Sequence, residues 1–311
     1  MIASRKRVDG RGATDHHRRV PSDVAETLKA AVPGSDGWTR TRVYRGTSQG
    51  AELWSSSSGR RVIVKHHPMA ALDVFEAIGR RIQVLRNAGV PAPATRVAAH
   101  GEDVLLIHDY LPGRSDPALS ASLIDDLIGI IEREAGLADD SAPHWPELIR
   151  TSLAIGQRHR TLQSYSQATR KLLERVCRVG HDPSVGQLTA RDLVHFDLHT
   201  GQLVSDDGRR VSGIIDWDGV RSGDRSLDLA NIAFTSLWKT SDTGVHEQIW
   251  DAFLSSSTHD SRVVYIHLVA LAQVDVVIRQ PELDPGFDRT LQLAYWALTV
   301  TETGRFSPVP S

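Results

Sequence analysis

"LVHFDLHTGQLVSDDGRRVSGIIDWDG", residues 193–219, decides how this chain is read. "QLVS" and "RRVSGIID" are short apolar runs, and the "DDG" between them is a hairpin turn signal. Antiparallel pairing returns the chain to its starting end, so "HFDLHTGQ" and "DWDG" converge at about strand spacing, roughly 5 Å. Asp197, Gln202 and Asp216 are thereby expected around one small volume. Carboxylates packed together repel unless a cation or a shared proton relieves them. A hard divalent ion with oxygen ligands fits, and Mg²⁺ takes one or two carboxylates plus substrate phosphates.

Upstream, "TRVYR", "AELW" and "RVIVK" over residues 41–65 read as three antiparallel strands, with "GTSQG" in the first turn and Lys65 ending the third. Leu72, Phe75, Ile78, Ile82 and Leu85 recur at three- and four-residue spacing and make one helical stripe. "VLLIHDYLPG" reads as a buried strand opened by Pro112 and Gly113, where a hinge is expected. Beyond it the pattern is helical at 120–135, 146–165, 167–178, 226–240, 244–255, 260–278 and 287–303. The architecture expected is α+β: a small antiparallel-sheet lobe over residues 21–110 and a larger, mainly helical lobe over 111–311.

Composition narrows the partners. The net charge is −2 over 311 residues with 40% hydrophobic side chains, which argues for a packed core and against nucleic acid or an anionic membrane as partner. A single cysteine, Cys177, suits a reducing cytosol and sits in an apolar helical pattern. No run matches a membrane span or a signal peptide, so a cytoplasmic protein is expected. Residues 1–20 are basic, nearly devoid of apolar anchors, and read as a disordered tail.

Together these pieces resemble the aminoglycoside phosphotransferase and choline kinase group of small-molecule phosphotransferases, with a bilobal protein-kinase-like fold. That group has a His-x-Asp-x-x-x-x-Asn loop followed, after a hairpin, by an Ile-Asp motif. "HFDLHTGQ" matches except at its last position, and "IIDWDG" matches the second motif. "VIVK", "LIHDYLPG", "QRHRTL" and "SGDRSLDLA" follow the family over roughly residues 40–240. The resemblance implies Asp197 as the catalytic base or orienter of the acceptor hydroxyl. It implies Asp216 and Gln202 as Mg²⁺ ligands, Gln202 standing where the family has Asn. Lys65 would contact the nucleotide phosphates, with Glu76, the only glutamate on the following helix, as its partner. Backbone N–H groups at Gly46, Thr47 and Ser48 would cover phosphate oxygens, and Asp109 and Tyr110 would belong to the nucleotide-binding hinge. His195, Asp224 and Asp228 would brace the loop.

An activation segment ending in Ala-Pro-Glu is missing after Asp216, so a small-molecule acceptor is expected rather than a protein. The resemblance implies ATP or GTP with Mg²⁺ and an antibiotic-inactivating branch. Alternatives are a metabolic kinase for choline, a sugar or an amino acid, and an impaired kinase-like binding protein. Residues 115–147 carry eight carboxylates against Arg133 alone, a field that would attract a cationic acceptor or simply a solvated acidic face. Asp275, flanked by apolar residues on a helix, is the candidate acceptor-binding acid. A monomer or a homodimer fits these features.

Overall fold

The computed structural model describes residues 21–44, 50–68, 71–138, 144–282, 286–306 and 309–310. The chain opens with α1 (Pro21–Ala31), β1 (Thr39–Tyr44), β2 (Ala51–Ser55), β3 (Arg61–His67), α2 (Leu72–Asn87), β4 (Thr95–His100) and β5 (Asp103–Asp109). It continues with β6 (Arg114–Ser115), α3 (Ala121–Glu132), α4 (Trp145–Ala154), α5 (Gln157–Tyr165) and α6 (Gln167–Gly180). The short strands β7 (Asp192–Val194), β8 (Leu203–Ser205), β9 (Gly213–Ile214) and β10 (Arg221–Gly223) follow. Four helices end the chain: α7 (Ser226–Lys239), α8 (Thr243–Ser256), α9 (His259–Arg279) and α10 (Phe287–Thr303).

Contacts divide the chain into two compact units. The first holds the residues up to Leu72 and Arg96–His108. Its antiparallel sheet runs in the order β1-β2-β3-β5-β4, and its core joins Val24, Leu28, Trp54, Val62, Val64, Leu105 and Ile107. Helix α1 and strand β4 extend this unit beyond the elements expected from sequence.

The second unit holds 73–95 and 109–311. Helix α2 therefore belongs to it, which differs from a division at residue 110. The reason is the stripe itself, because Ile78, Ile82 and Leu85 bury in one cluster with Leu123, Leu127, Leu203 and Ile214. Leu72, at the stripe's end, is exposed. The run 146–165 is two helices, not one. Ile155 is extended and Gly156 takes φ 141°, a left-handed-side backbone that glycine tolerates and that starts α5 in a new direction. Among the described residues α9 is the one helix long and apolar enough to cross a membrane, and two thirds of its apolar window is buried in the protein.

Candidate active site

The hairpin forms as its pattern requires. β8 pairs antiparallel with β9, Leu203 opposite Ile214 and Val204 opposite Gly213. Gly213 is needed there, since a Cβ would lie 2.6 Å from Cδ1 of Leu111. One step past the strands, Ile215 N–H donates to the Gln202 carbonyl at 3.0 Å. His195 adds a second tie, its Nε2 donating to the Ile215 carbonyl at 2.9 Å while its ring packs at 4.6 Å, tilted by 55°, against Trp217. Both neighbours of Asp216 are thus fixed to the Asp197 loop, and the carboxylates of Asp197 and Asp216 both act on the His195 ring.

His195 is fully buried, and that burial outweighs the Ile215 bond and the two carboxylates to push its pKa down. A buried neutral ring engaged at Nε2 holds the loop and is no general base. Asp197 itself is exposed, and Asp216 is half-buried with φ 70°, ψ 45°. Phe196, just before Asp197, also has positive φ, 78°. Such a conformation in a bulky residue persists only when its surroundings enforce it.

Asp228 of α7 supplies much of that enforcement. Its Oδ2 accepts from His195 N–H at 2.6 Å and its Oδ1 from Phe196 N–H at 3.0 Å. Burial pushes its carboxyl up to about 7, against the pull of those bonds and of a further one from Leu198. Arg221 lays its guanidinium 4.1 Å over the Phe196 ring, whose edge meets Trp145. Trp145 Nε1 donates to Tyr265 Oη, which donates to Asp224. The aspartates expected to brace the loop both do so, Asp228 directly and Asp224 through two aromatic residues. Glu134 lies near Asp228, fully buried with no hydrogen-bond partner on either oxygen, and desolvation pushes its pKa well up.

Gln202 is buried, and its Oε1 accepts from His199 N–H at 3.2 Å while His199 Nδ1 accepts from Gly201 N–H. This reciprocal cap folds the short 3₁₀ turn Thr200–Gln202. An amide oxygen has two lone pairs, so one stays open to a cation. No group of three or more His, Cys, Asp or Glu side chains among the described residues makes a metal cage. Asp216, Asp197 and the Gln202 amide are hard oxygen donors, which fits an Mg²⁺ that arrives bound to phosphate and rejects a resident softer metal.

The remaining candidates lie elsewhere. Lys65 is buried within β3 of the first unit, which runs two residues beyond it to His67 where the sequence expected Lys65 to end the strand. Glu76 in the second unit is 51% exposed and 3.9 Å from Arg80. Asp109 and Tyr110 are half-buried where β5 ends. Gly46, Thr47 and Ser48, and the basic tail, lie outside the described residues. Most of the acidic stretch is engaged internally. Asp116 pairs with Lys239 at 2.6 Å, Glu132 with Arg225 at 3.2 Å and Glu147 with Arg150 at 3.0 Å. Asp126 accepts from Val211 N–H, and Asp125 from Gln248. Sequence reasoning missed Arg221, Trp145, Tyr265 and Glu134, whose partners are distant in the chain.

An antiparallel-sheet unit and a mainly helical unit carrying this loop and hairpin define a kinase-like phosphotransferase. The model of the phosphotransferase enzyme family (APH) matches residues 31–263, and the chain belongs to that family. Among solved structures, an apo thermostable mutant of aminoglycoside phosphotransferase APH(4)-Ia superposes with a TM-score of 0.61 at 15% identity, covering 92% of this chain and 98% of that one. Aminoglycoside-3'-phosphotransferase of type VIII gives 0.55 at 18%, covering 80% and 98%. APH(3'')-Id from Streptomyces rimosus, in complex with ADP and streptomycin, gives 0.53 at 20%, covering 80% and 97%. At these identities the likeness shows the fold. No curated protein matches the sequence.

Proposed function

We propose that this enzyme transfers the γ-phosphoryl group of ATP or GTP to a hydroxyl of a small molecule, an antibiotic that it thereby inactivates. The observation that carries this reading is the Ile215–Gln202 bond, which fixes the Asp216 backbone to the Asp197 loop. The complexes solved with ADP and streptomycin, and with ADP and hygromycin B, support nucleotide use and an antibiotic acceptor.

In this reading the exposed Asp197 accepts a hydrogen bond from the acceptor hydroxyl and aims its oxygen at the γ-phosphorus. As the new P–O bond forms, the bond from the γ-phosphorus to the bridging oxygen breaks, the nucleoside diphosphate leaves, and the hydroxyl proton passes to Asp197 and on to water. Asp216 and the open lone pair of Gln202 would hold Mg²⁺, which would supply positive charge against the phosphates. Lys65 binds the α- and β-phosphates, and Asp109 and Tyr110 border the base. Asp275 binds the acceptor. The enzyme works in the cytoplasm, where nucleotide and Mg²⁺ are abundant.

Incubation with ATP or GTP, Mg²⁺ and a panel of hydroxylated antibiotics, read by mass spectrometry, tests this. Addition of one phosphoryl group to a panel member supports it. Transfer only to choline, a sugar or an amino acid would replace it with a metabolic kinase. A second reading, a kinase-like binding protein, is favoured by the Gln202 oxygen being drawn onto His199. Nucleotide-dependent thermal stabilisation without transfer to any acceptor would establish that one.

A further inference from the structure

A cavity of about 390 Å³ opens in the second unit where α4 gives way to α5, beside the last turns of α9. Ser152, Ile155, Arg158, His159, Asp275 and Arg279 line it. Asp275 is 1% exposed, and its Oδ2 accepts from Nε and Nη2 of Arg279 at 2.9 and 2.8 Å. Its Oδ1 is buried with no hydrogen-bond partner. His159 shows the same incompleteness. Its Nε2 lies 2.8 Å from the Leu153 carbonyl, which can only accept, so Nε2 carries a proton, and in the tautomer with one ring proton Nδ1 is an acceptor. That Nδ1 is also buried without a partner. Gly156 stands beside it, the position of a Cβ being 3.8 Å away, so no side chain screens it there.

Two unmet acceptors on one cavity call for a ligand rich in N–H donors, because buried acceptors are costly when left unmatched. Charge limits the choice further. Arg158 and Arg279 outnumber Asp275, so a polycation is poorly matched, and a cationic group accompanied by an anionic one is well matched. Ile155, 71% exposed, adds an aliphatic wall.

We infer that this cavity is an acceptor subsite for an amino-acid group. The ammonium lies on Asp275 Oδ1 and His159 Nδ1, and the carboxylate on Arg158 and Arg279. The inference deepens the phosphotransferase reading and rests on it for the word acceptor. Helix α4 links the two places, since Trp145 at its start meets the Phe196 ring next to Asp197, and Ser152 lies roughly 10 Å further along the axis.

Ligand-observed NMR with L-leucine as probe tests the subsite without requiring turnover. Two analogues each lack one charge: 3-methylbutylamine has no carboxylate, and 4-methylpentanoate no ammonium. L-Leucine should bind saturably, and both analogues and spermidine about tenfold more weakly. Asp275→Asn should weaken L-leucine about tenfold. Arg158→Ala should do the same while leaving 3-methylbutylamine unchanged, and its exposed position on α5 spares the fold if Asp275→Asn does not. Failure of L-leucine to bind, equal binding of spermidine, or indifference to both variants would overturn the inference. Binding of L-leucine with no phosphoryl transfer to any acceptor would overturn the phosphotransferase reading and leave the amino-acid site standing.

Discussion

The carbonyl of Gln202 accepts the N–H of Ile215 at 3.0 Å, and the carbonyl of Ile215 in turn accepts His195 Nε2 at 2.9 Å. Ile215 thus joins the loop that carries Asp197 to the segment that carries Asp216. Asp228 and Arg221 in turn hold the strained residue Phe196 beside it.

Asp197 is exposed, and its carboxylate acts on the described residues through charge on His195 and Asp228 and not through a hydrogen bond, so its removal tests chemistry with little cost to the fold. Asp197→Ala should lower kcat by about 10²–10⁴ while the melting temperature and nucleotide affinity hold. Retained turnover would remove Asp197 from its role.

Asp228 differs, because it is buried under two loop N–H groups at 2.6 and 3.0 Å. Asp228→Ala leaves these and the Leu198 N–H without that acceptor and should cost about 2–5 kcal/mol in chemical denaturation. Because the same bonds hold Phe196 at positive φ, kcat should fall in whatever fraction remains folded.

Much of this was legible in the sequence. The "DDG" turn between "QLVS" and "RRVSGIID" fixes which ends meet, and the three-and-four spacing after Leu72 fixes a helix. What stayed hidden depends on contacts remote in the chain. The bend at Gly156 is invisible because residues 146–165 keep one helical pattern through it. The cap from Gln202 onto His199 requires knowing that the side chain turns back. Arg221 became a platform for Phe196 only through the pairing of β10 with β7, which sets Arg221 opposite Val194.

Gly223 on β10 faces Trp145 so closely that a Cβ would lie 2.8 Å from its ring carbons and from Val194 Cγ2. Gly223→Ala should destabilise by about 1–3 kcal/mol, the usual cost of overpacking. Trp145 touches Phe196, so activity should fall further than the folded fraction. Calorimetry paired with single-turnover rates separates the two effects.

Three buried histidines set an acid limit. Burial lowers the pKa of His195 and His246, and that of His267 to about 4. In the unfolded chain each takes a proton near 6.5, so below that pH the unfolded state binds more protons and stability falls as pH drops. For His267 the loss runs from 6.5 down to about 4, below which it is complete. His267→Leu should flatten that limb by about 3 kcal/mol in urea titrations across the window. An unchanged slope would assign the acid limit to other groups.

Gln202 offers the sharpest test of the metal role, since its oxygen already accepts from His199 N–H and keeps one lone pair. Gln202→Ala should raise the Mg²⁺ concentration for half-maximal rate about tenfold, the loss of one oxygen ligand, and leave the nucleotide-free melting temperature lower by the missing cap. Gln202→Asn shortens the side chain by one methylene, roughly 1.5 Å. Released from His199, the shorter amide should restore the Mg²⁺ requirement while the cap stays lost. The two variants then share a stability defect and differ in metal dependence. If both show the wild-type Mg²⁺ dependence, the amide serves the loop alone and Asp216 carries the ion without it.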